Sequence, residues 1–270
     1  MKLHDIVLLE TSSNRTRMLE MDEVIQLAKT TYSNYFKQFD YPVLYRGSAT
    51  YSQNMHPILV DPSVGTRGGS EKTGFGYTEI ISNIDSWRGL PKRNRALICT
   101  ADRKTAIMYG AISSVVLPNK FKAIVSDTDF WYAYRKKMDN TYVRSLYSFD
   151  VAIRGLFDTP KSWEDFINNK IPRYIEKYSN LTQAQVSINL TGALRELHSA
   201  ISKYSGGDDK ITRESVIMFL NDFFDPTTVS TIDIRTSLPD IKFKELWTND
   251  TCMILGDDIY YHIKKTIEAI

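Results

Sequence analysis

The sequence predicts an α+β fold, a β-sheet domain with an α-helical insertion. Two observations predict it. Strand-like apolar runs occur in the first half of the chain and return near its end. Between about 150 and 228 the apolar residues recur at helical spacing instead. The expected parts are therefore 1–149, the first portion of the sheet domain, 150–228, the helical insertion, and 229–270, the strands and helix that complete the sheet domain.

Each element has a local reason. Val24, Leu27, Ala28, Thr31 and Tyr35 share a helical face, so 22–38 reads as a helix that starts at Asp22 and stops before Pro42. Val43–Arg46 reads as a short buried strand. Residues 47–76 carry six glycines and two prolines, which break regular structure, and a loop of that length points to function. An ordered segment follows at Tyr77–Ile84, then a basic loop from Trp87 to Arg95 with Arg88, Lys92 and Arg93. Ala96–Thr100 is the next strand. Asp102–Tyr109 is a helix that Gly110 stops. Ser114–Leu117 and Lys122–Val125 form two strands around a Pro-Asn-Lys turn.

The helical block has three stripes. Trp163, Phe166, Ile167, Ile171, Tyr174 and Tyr178 make the first, with Ser162 as N-cap and Pro172 as a break. Leu190, Leu194, Leu197, Ile201 and Tyr204 make the second, closed by Gly206-Gly207. Thr212 caps the third, which carries Val216, Phe219, Leu220 and Phe223. Strands then return at Thr231–Ile234 and Cys252–Leu255, before an amphipathic helix from about Asp258.

Composition narrows the function classes. The 270 residues are 42% hydrophobic, enough for a sizeable core. With 34 basic and 32 acidic residues the net charge is +2, so bulk charge does not point to nucleic acid or membrane. Cys99 and Cys252 lie in apolar runs without Cys-x-x-Cys spacing, which predicts two reduced core thiols in a cytosolic protein rather than a disulfide. The N-terminus has no signal-peptide core, and no run approaches the roughly 20 apolar residues of a membrane span. His4, His56, His198 and His262 are isolated, so no zinc spacing arises, and His198 reads as structural. No nucleophile elbow, Walker loop or dinucleotide fingerprint is present.

Three separated fragments carry the candidate chemistry. They are Val43-Leu44-Tyr45-Arg46-Gly47, Leu97-Ile98-Cys99-Thr100-Ala101 and Phe243-Lys244-Glu245-Leu246-Trp247. An arginine at a strand end can hold a pyrophosphate through its fork of donors, or pair with a carboxylate. Thr100 can orient a ribose, or cap the helix that follows it. Glu245 can act on a substrate, or be a solvated strand-edge carboxylate. The basic loop with Trp87 can bind phosphate or a single strand of nucleic acid, or stay solvated.

In this order the fragments resemble the ADP-ribosyltransferases of the arginine–serine–glutamate type. Those have an arginine on the first strand, a Ser-Thr-Ser-like strand before a helix, and a late glutamate before a strand. Arg46 matches the first feature, Thr100 the centre of the second, and Glu245 the third. The resemblance implies a split β-sheet core and NAD as the substrate, with no metal. It implies that Arg46 and Gly47 bind phosphate or ribose, that Thr100 positions the dinucleotide, and that Tyr109 or Tyr77 stacks on nicotinamide. Arg67 would close on the dinucleotide, and Glu245 would be catalytic. The chain departs from the pattern at Cys99 and Ala101, where serines are usual. It departs again at Phe243, where arginine-modifying members carry Glu or Gln.

Arg67-Gly-Gly-Ser-Glu-Lys-Thr, the stretch from Trp87 to Thr100 and Ala106-Ile-Met-Tyr-Gly also resemble proteins of large tailed bacteriophages. That likeness implies a host cytoplasmic or virion-associated role and a host macromolecule, protein before nucleic acid, as acceptor. The alternative is a non-catalytic protein of the same fold that binds a host or virion protein through its helical block.

Overall fold

The computed structural model describes residues 16–48, 56–65, 77–110, 112–120, 122–126, 130, 146–178, 181, 185, 188–190, 192–206, 210–234 and 245–269. In chain order the elements begin with β1 (Thr16–Met18), α1 (Met21–Lys29), α2 (Ser33–Gln38), β2 (Tyr45–Ser48), β3 (Ile58–Val60) and α3 (Tyr77–Asn83). Next come β4 (Leu97–Cys99), α4 (Arg103–Tyr109), β5 (Ile112–Pro118), β6 (Lys122–Ser126), α5 (Leu146–Phe157), α6 (Ile171–Tyr178), α7 (Ala193–Ser202) and α8 (Arg213–Phe223). The chain closes with β7 (Ser230–Asp233), β8 (Glu245–Thr248), β9 (Cys252–Leu255) and α9 (Asp257–Glu268). The protein is of mixed α and β structure, with two antiparallel sheets.

It divides into two compact units, each drawn from separate stretches of chain. The first comprises 1–68, 90–129 and 229–270, and holds both sheets. One sheet runs β1-β3-β9-β5-β2 and the other β4-β8-β6-β7. The central strands of the larger sheet are apolar on both faces, as in Val115, Val116 and Leu117 of β5 and all of β9. Leu97, Cys99, Leu246, Ala123 and Val125 of the smaller sheet share one core with Val115, Leu117, Cys252 and Leu255 of the larger. Helices α1, α2 and α9 cover that core, with Phe36 stacked on Tyr260 at 5.1 Å between centroids.

Where the elements differ from expectation, the cause is local. The helix expected over 22–38 is two helices. Thr30 turns its hydroxyl back onto the Gln26 carbonyl at 2.8 Å, and its backbone leaves helical geometry. Strands β1 and β3 were not expected. Each has three residues and pairs with its neighbour through backbone bonds rather than through a long apolar run. Strand β8 was not expected either, because it is buried on both faces and shows no alternation.

The second unit comprises 69–89 and 130–228. Its core is aromatic: Phe149 lies parallel to Phe223 at 5.0 Å and edge-on to Phe224 at 5.6 Å. Trp87 joins it, donating from Nε1 to the Phe224 carbonyl at 2.5 Å and meeting Phe130 edge-on. Ser162 accepts from the Asp165 N–H and Thr212 from the Ser215 N–H, so both expected caps are formed. Pro172 does not break its helix. It is the second residue of α6 and follows a π-helical segment, Phe166–Lys170. Proline has no N–H to return to the preceding turn, and the wider turn accommodates that loss.

Candidate functional site

The two sheets of the first unit meet at one pair of strands. Edge strand β2 of the larger sheet bridges edge strand β4 of the smaller. The Tyr45 N–H donates to the Thr100 carbonyl and the Thr100 N–H to the Tyr45 carbonyl, each at 2.8 Å. Arg46 lies one residue past that bridge. Its Nη1 donates to the Ile98 carbonyl at 2.6 Å, so the guanidinium reaches across onto β4.

Strand β4 in turn pairs with β8, and the last pair is Cys99 with Leu246. One residue beyond that pair lie Thr100 on one strand and Glu245 on the other. They share a face. Ile98 and Trp247 are opposite one another, side chains alternate along a strand, and Thr100 and Glu245 are each two residues further on. Leu97, Cys99 and Leu246 point the other way, into the core. The order β2-β4-β8 thus sets the backbone of Arg46, Thr100 and Glu245 on adjoining strands or their ends, with Thr100 and Glu245 on one face and Arg46, which follows the Thr100 partner Tyr45, on the other.

The electrostatics agree with that order. Burial pushes the Cys99 thiol up to about 12, the nearby Arg46 guanidinium draws it down, and the Glu245 carboxylate raises it further. Cys99 therefore lies within range of both charges. Cys252 is also buried, and its thiol is pushed well up, with Cys99 and Asp250 adding to the effect of burial. Both cysteines are free.

Glu245 is 5% exposed. Its Oε1 pairs with Arg93 Nη2 at 2.5 Å. The Arg93 guanidinium also lies over the Trp247 ring, 4.8 Å from its centroid. The expected solvated carboxylate is thus a buried ion pair. The segment bearing Arg93 is tied to β8 as well. Trp247 Nε1 donates to the Pro91 carbonyl at 3.3 Å. With its amide turned to satisfy both atoms, Asn249 donates to the carbonyls of Arg95 and Lys92 at 3.0 and 3.2 Å and accepts from the Lys92 N–H at 3.1 Å.

Thr100 is 2% exposed, and its hydroxyl accepts the Asp102 N–H at 3.1 Å. Asp102 caps α4 by accepting from the N–H groups of Lys104 and Thr105, both at 3.1 Å. Thr100 therefore shapes the turn into α4, and its O–H proton remains a donor by the chemistry of the group. Gly47 is buried on β2 opposite Ser113. Tyr109 is the last residue of α4 and Tyr77 the first of α3, in the second unit. The side chains of both tyrosines lie outside the described part, as do all of Arg67 and Phe243.

The Trp87–Arg95 stretch does not present an aromatic ring beside its cations. Trp87 is 5% exposed because its ring fills the core of the second unit, and Arg93 is enclosed by its own pair. Arg88 is exposed and paired with Asp85 at 2.6 Å. Sequence reasoning grouped Arg93 with this loop. The signal that separates it is Trp247, an aromatic two residues from Glu245 that suits a guanidinium on the same strand face.

In the second unit His198 is 2% exposed and its Nδ1 meets the Tyr174 hydroxyl. Burial holds its imidazole below the ordinary value. Among the described residues no group of three or more His, Cys, Asp or Glu side chains is gathered for a metal. Among them, too, no helix is long and apolar enough to cross a membrane. No family model, curated protein or solved structure matches this chain.

Proposed function

We propose that the first unit is an ADP-ribosyltransferase-like split sheet that binds NAD where β2, β4 and β8 adjoin. The observation that carries the reading is the strand order, which sets the backbone of Arg46, Thr100 and Glu245 on adjoining strands or their ends. Arg46 engages phosphate or ribose through its forked guanidinium, whose Nη1 donates to the Ile98 carbonyl. Thr100 orients the dinucleotide, and Glu245 holds the hydroxyls of the nicotinamide ribose.

The bond between nicotinamide and ribose C1′ breaks, and its electron pair leaves with the ring, giving neutral nicotinamide. The acceptor's nucleophile bonds to C1′ and loses its proton. A fixed anion beside C1′ stabilises the oxocarbenium-like charge, as carboxylates do in glycosidases. The acceptor we infer is a host macromolecule, with protein preferred to nucleic acid, in the setting of a tailed-phage infection.

Incubation of the chain with labelled NAD and bacterial lysate tests this. The expected result is nicotinamide release and label transfer that Glu245→Gln abolishes. Release that persists in Glu245→Gln contradicts the assignment.

A second reading is favoured by the enclosure of Glu245 and Thr100. In it the fold is kept without catalysis, and the helical unit engages a host or virion protein. The departures at Cys99, Ala101 and Phe243 suit that reading. No heat of NAD binding at millimolar concentration, with a stable complex in a pull-down, would select it.

A further inference from the structure

Arg93 was not among the residues that the sequence marked for the site, yet it touches the one that matters most. Its Nη2 is 2.5 Å from Glu245 Oε1, and both side chains are almost wholly buried. Its guanidinium plane is backed by the Trp247 indole. Glu245 and Trp247 are two residues apart on β8, so they project from the same face. One guanidinium therefore spans both, with its cation on the carboxylate and its flat face on the ring.

The backbone that carries Arg93 is held by separate contacts. Residues 93–95 form a single 3-10 turn, and the bonds from Trp247 and Asn249 fix residues 91, 92 and 95 to β8 and the residue after it. The arginine is thus set against the strand by contacts that do not involve Glu245. Such an arrangement fixes the orientation of a carboxylate. Replacement of a buried ion pair by apolar side chains is often neutral or stabilising, so such a pair is weak evidence of a stability role alone.

We propose that Arg93 is the positioning residue for Glu245. This rests on the reading of Glu245 as the carboxylate that faces the nicotinamide ribose. Arg93 acts through Glu245 and has no contact with substrate. It takes one carboxylate oxygen and the stack takes the guanidinium plane, so the orientation of the carboxylate is set before NAD arrives. An unoriented carboxylate would adopt several rotamers, and only some would meet the ribose as the glycosidic bond breaks. The penalty falls on the transition state rather than on ground-state binding.

Lysine at position 93 keeps the charge but offers a rotatable ammonium and no plane to stack. The test is steady-state nicotinamide release from NAD by the full chain, with water as acceptor, so that the products are ADP-ribose, nicotinamide and a proton. Wild type, Arg93→Lys, Arg93→Gln and Glu245→Gln are compared, and thermal melting identifies the variants that remain folded. The expected result for Arg93→Lys is a kcat lowered by about tenfold to a hundredfold with KM for NAD changed by no more than about twofold. Arg93→Gln falls further.

A merely structural role would lower the melting temperature and leave kcat unchanged, which overturns the proposal. A raised KM with unchanged kcat also overturns it, because Arg93 would then contact substrate. If Arg93→Lys does not fold, Arg93→Gln carries the same comparison. In each of these cases a loss of release in Glu245→Gln shows that the reading of the site still stands. A wild type that releases no nicotinamide overturns the reading of the site, and the positioning role with it.

Discussion

Glu245 carries its carboxylate at a position that water scarcely reaches, and the Arg93 guanidinium compensates for the lost hydration. Removal of one partner should therefore be severe. Arg93→Ala is expected to destabilise the chain by about 3–5 kcal/mol in urea denaturation, because the remaining carboxylate is left buried. A loss below about 1 kcal/mol, the range of an exposed pair, would contradict the burial described here. His198 gives a second test at this scale. Its folded value lies below its unfolded one, so the unfolded chain takes up the proton first as pH falls. The stability that neutral His198 contributes is complete above the unfolded value of about 6.5 and declines as pH drops below it. The difference in melting temperature between wild type and His198→Gln should narrow from pH 7.5 to pH 5, and a constant difference would count against the buried neutral imidazole. The thiols give a third. Burial pushes Cys99 up to about 12 and Cys252 well above its ordinary value, so neither should react with a thiol reagent in the native chain at pH 8. Both should react in denaturant.

Helices α5 and α7 approach closely at Gly155. A β-carbon there would lie 2.6 Å from Leu194 Cδ2, so the contact depends on the missing side chain. Gly155→Val should cost about 1–3 kcal/mol by overpacking, read as a lowered melting temperature. Nothing in the sequence distinguishes this glycine from one that ends a helix. By contrast, Thr212 and Ser162 were legible as caps, because a hydroxyl before an apolar helical stripe has one common use. Helix α4 was legible for the same reason, with Asp102 at its start and Gly110 at its end. Strand β8 was not. It has four residues, begins with a charge, and is buried throughout, so neither alternation nor length marks it. Its partner β4 was expected at almost the same residues. The strand that carries the middle of the candidate site could thus be read from local pattern, whereas the β8 end depended on a pairing that no local pattern encodes.

Across the whole chain, each compact unit is assembled from separated segments. The sheet unit closes only when 229–270 returns to 1–68 and 90–129, since β9 lies between β3 and β5 and β8 lies between β4 and β6. The strands that carry Arg46, Thr100 and Glu245 adjoin through that closure, although 199 positions separate the first residue from the last. The residue types in the fragments were visible, but adjacency is a property of strand order. On the reading proposed above, this adjacency makes an NAD site. Calorimetric titration of NAD into the folded chain tests it most directly. The expected result is saturable binding that Arg46→Ala weakens by at least about tenfold, the loss of roughly one charge-assisted hydrogen bond, while Glu245→Gln still binds. No heat at millimolar NAD, or an affinity unchanged by Arg46→Ala, would contradict it.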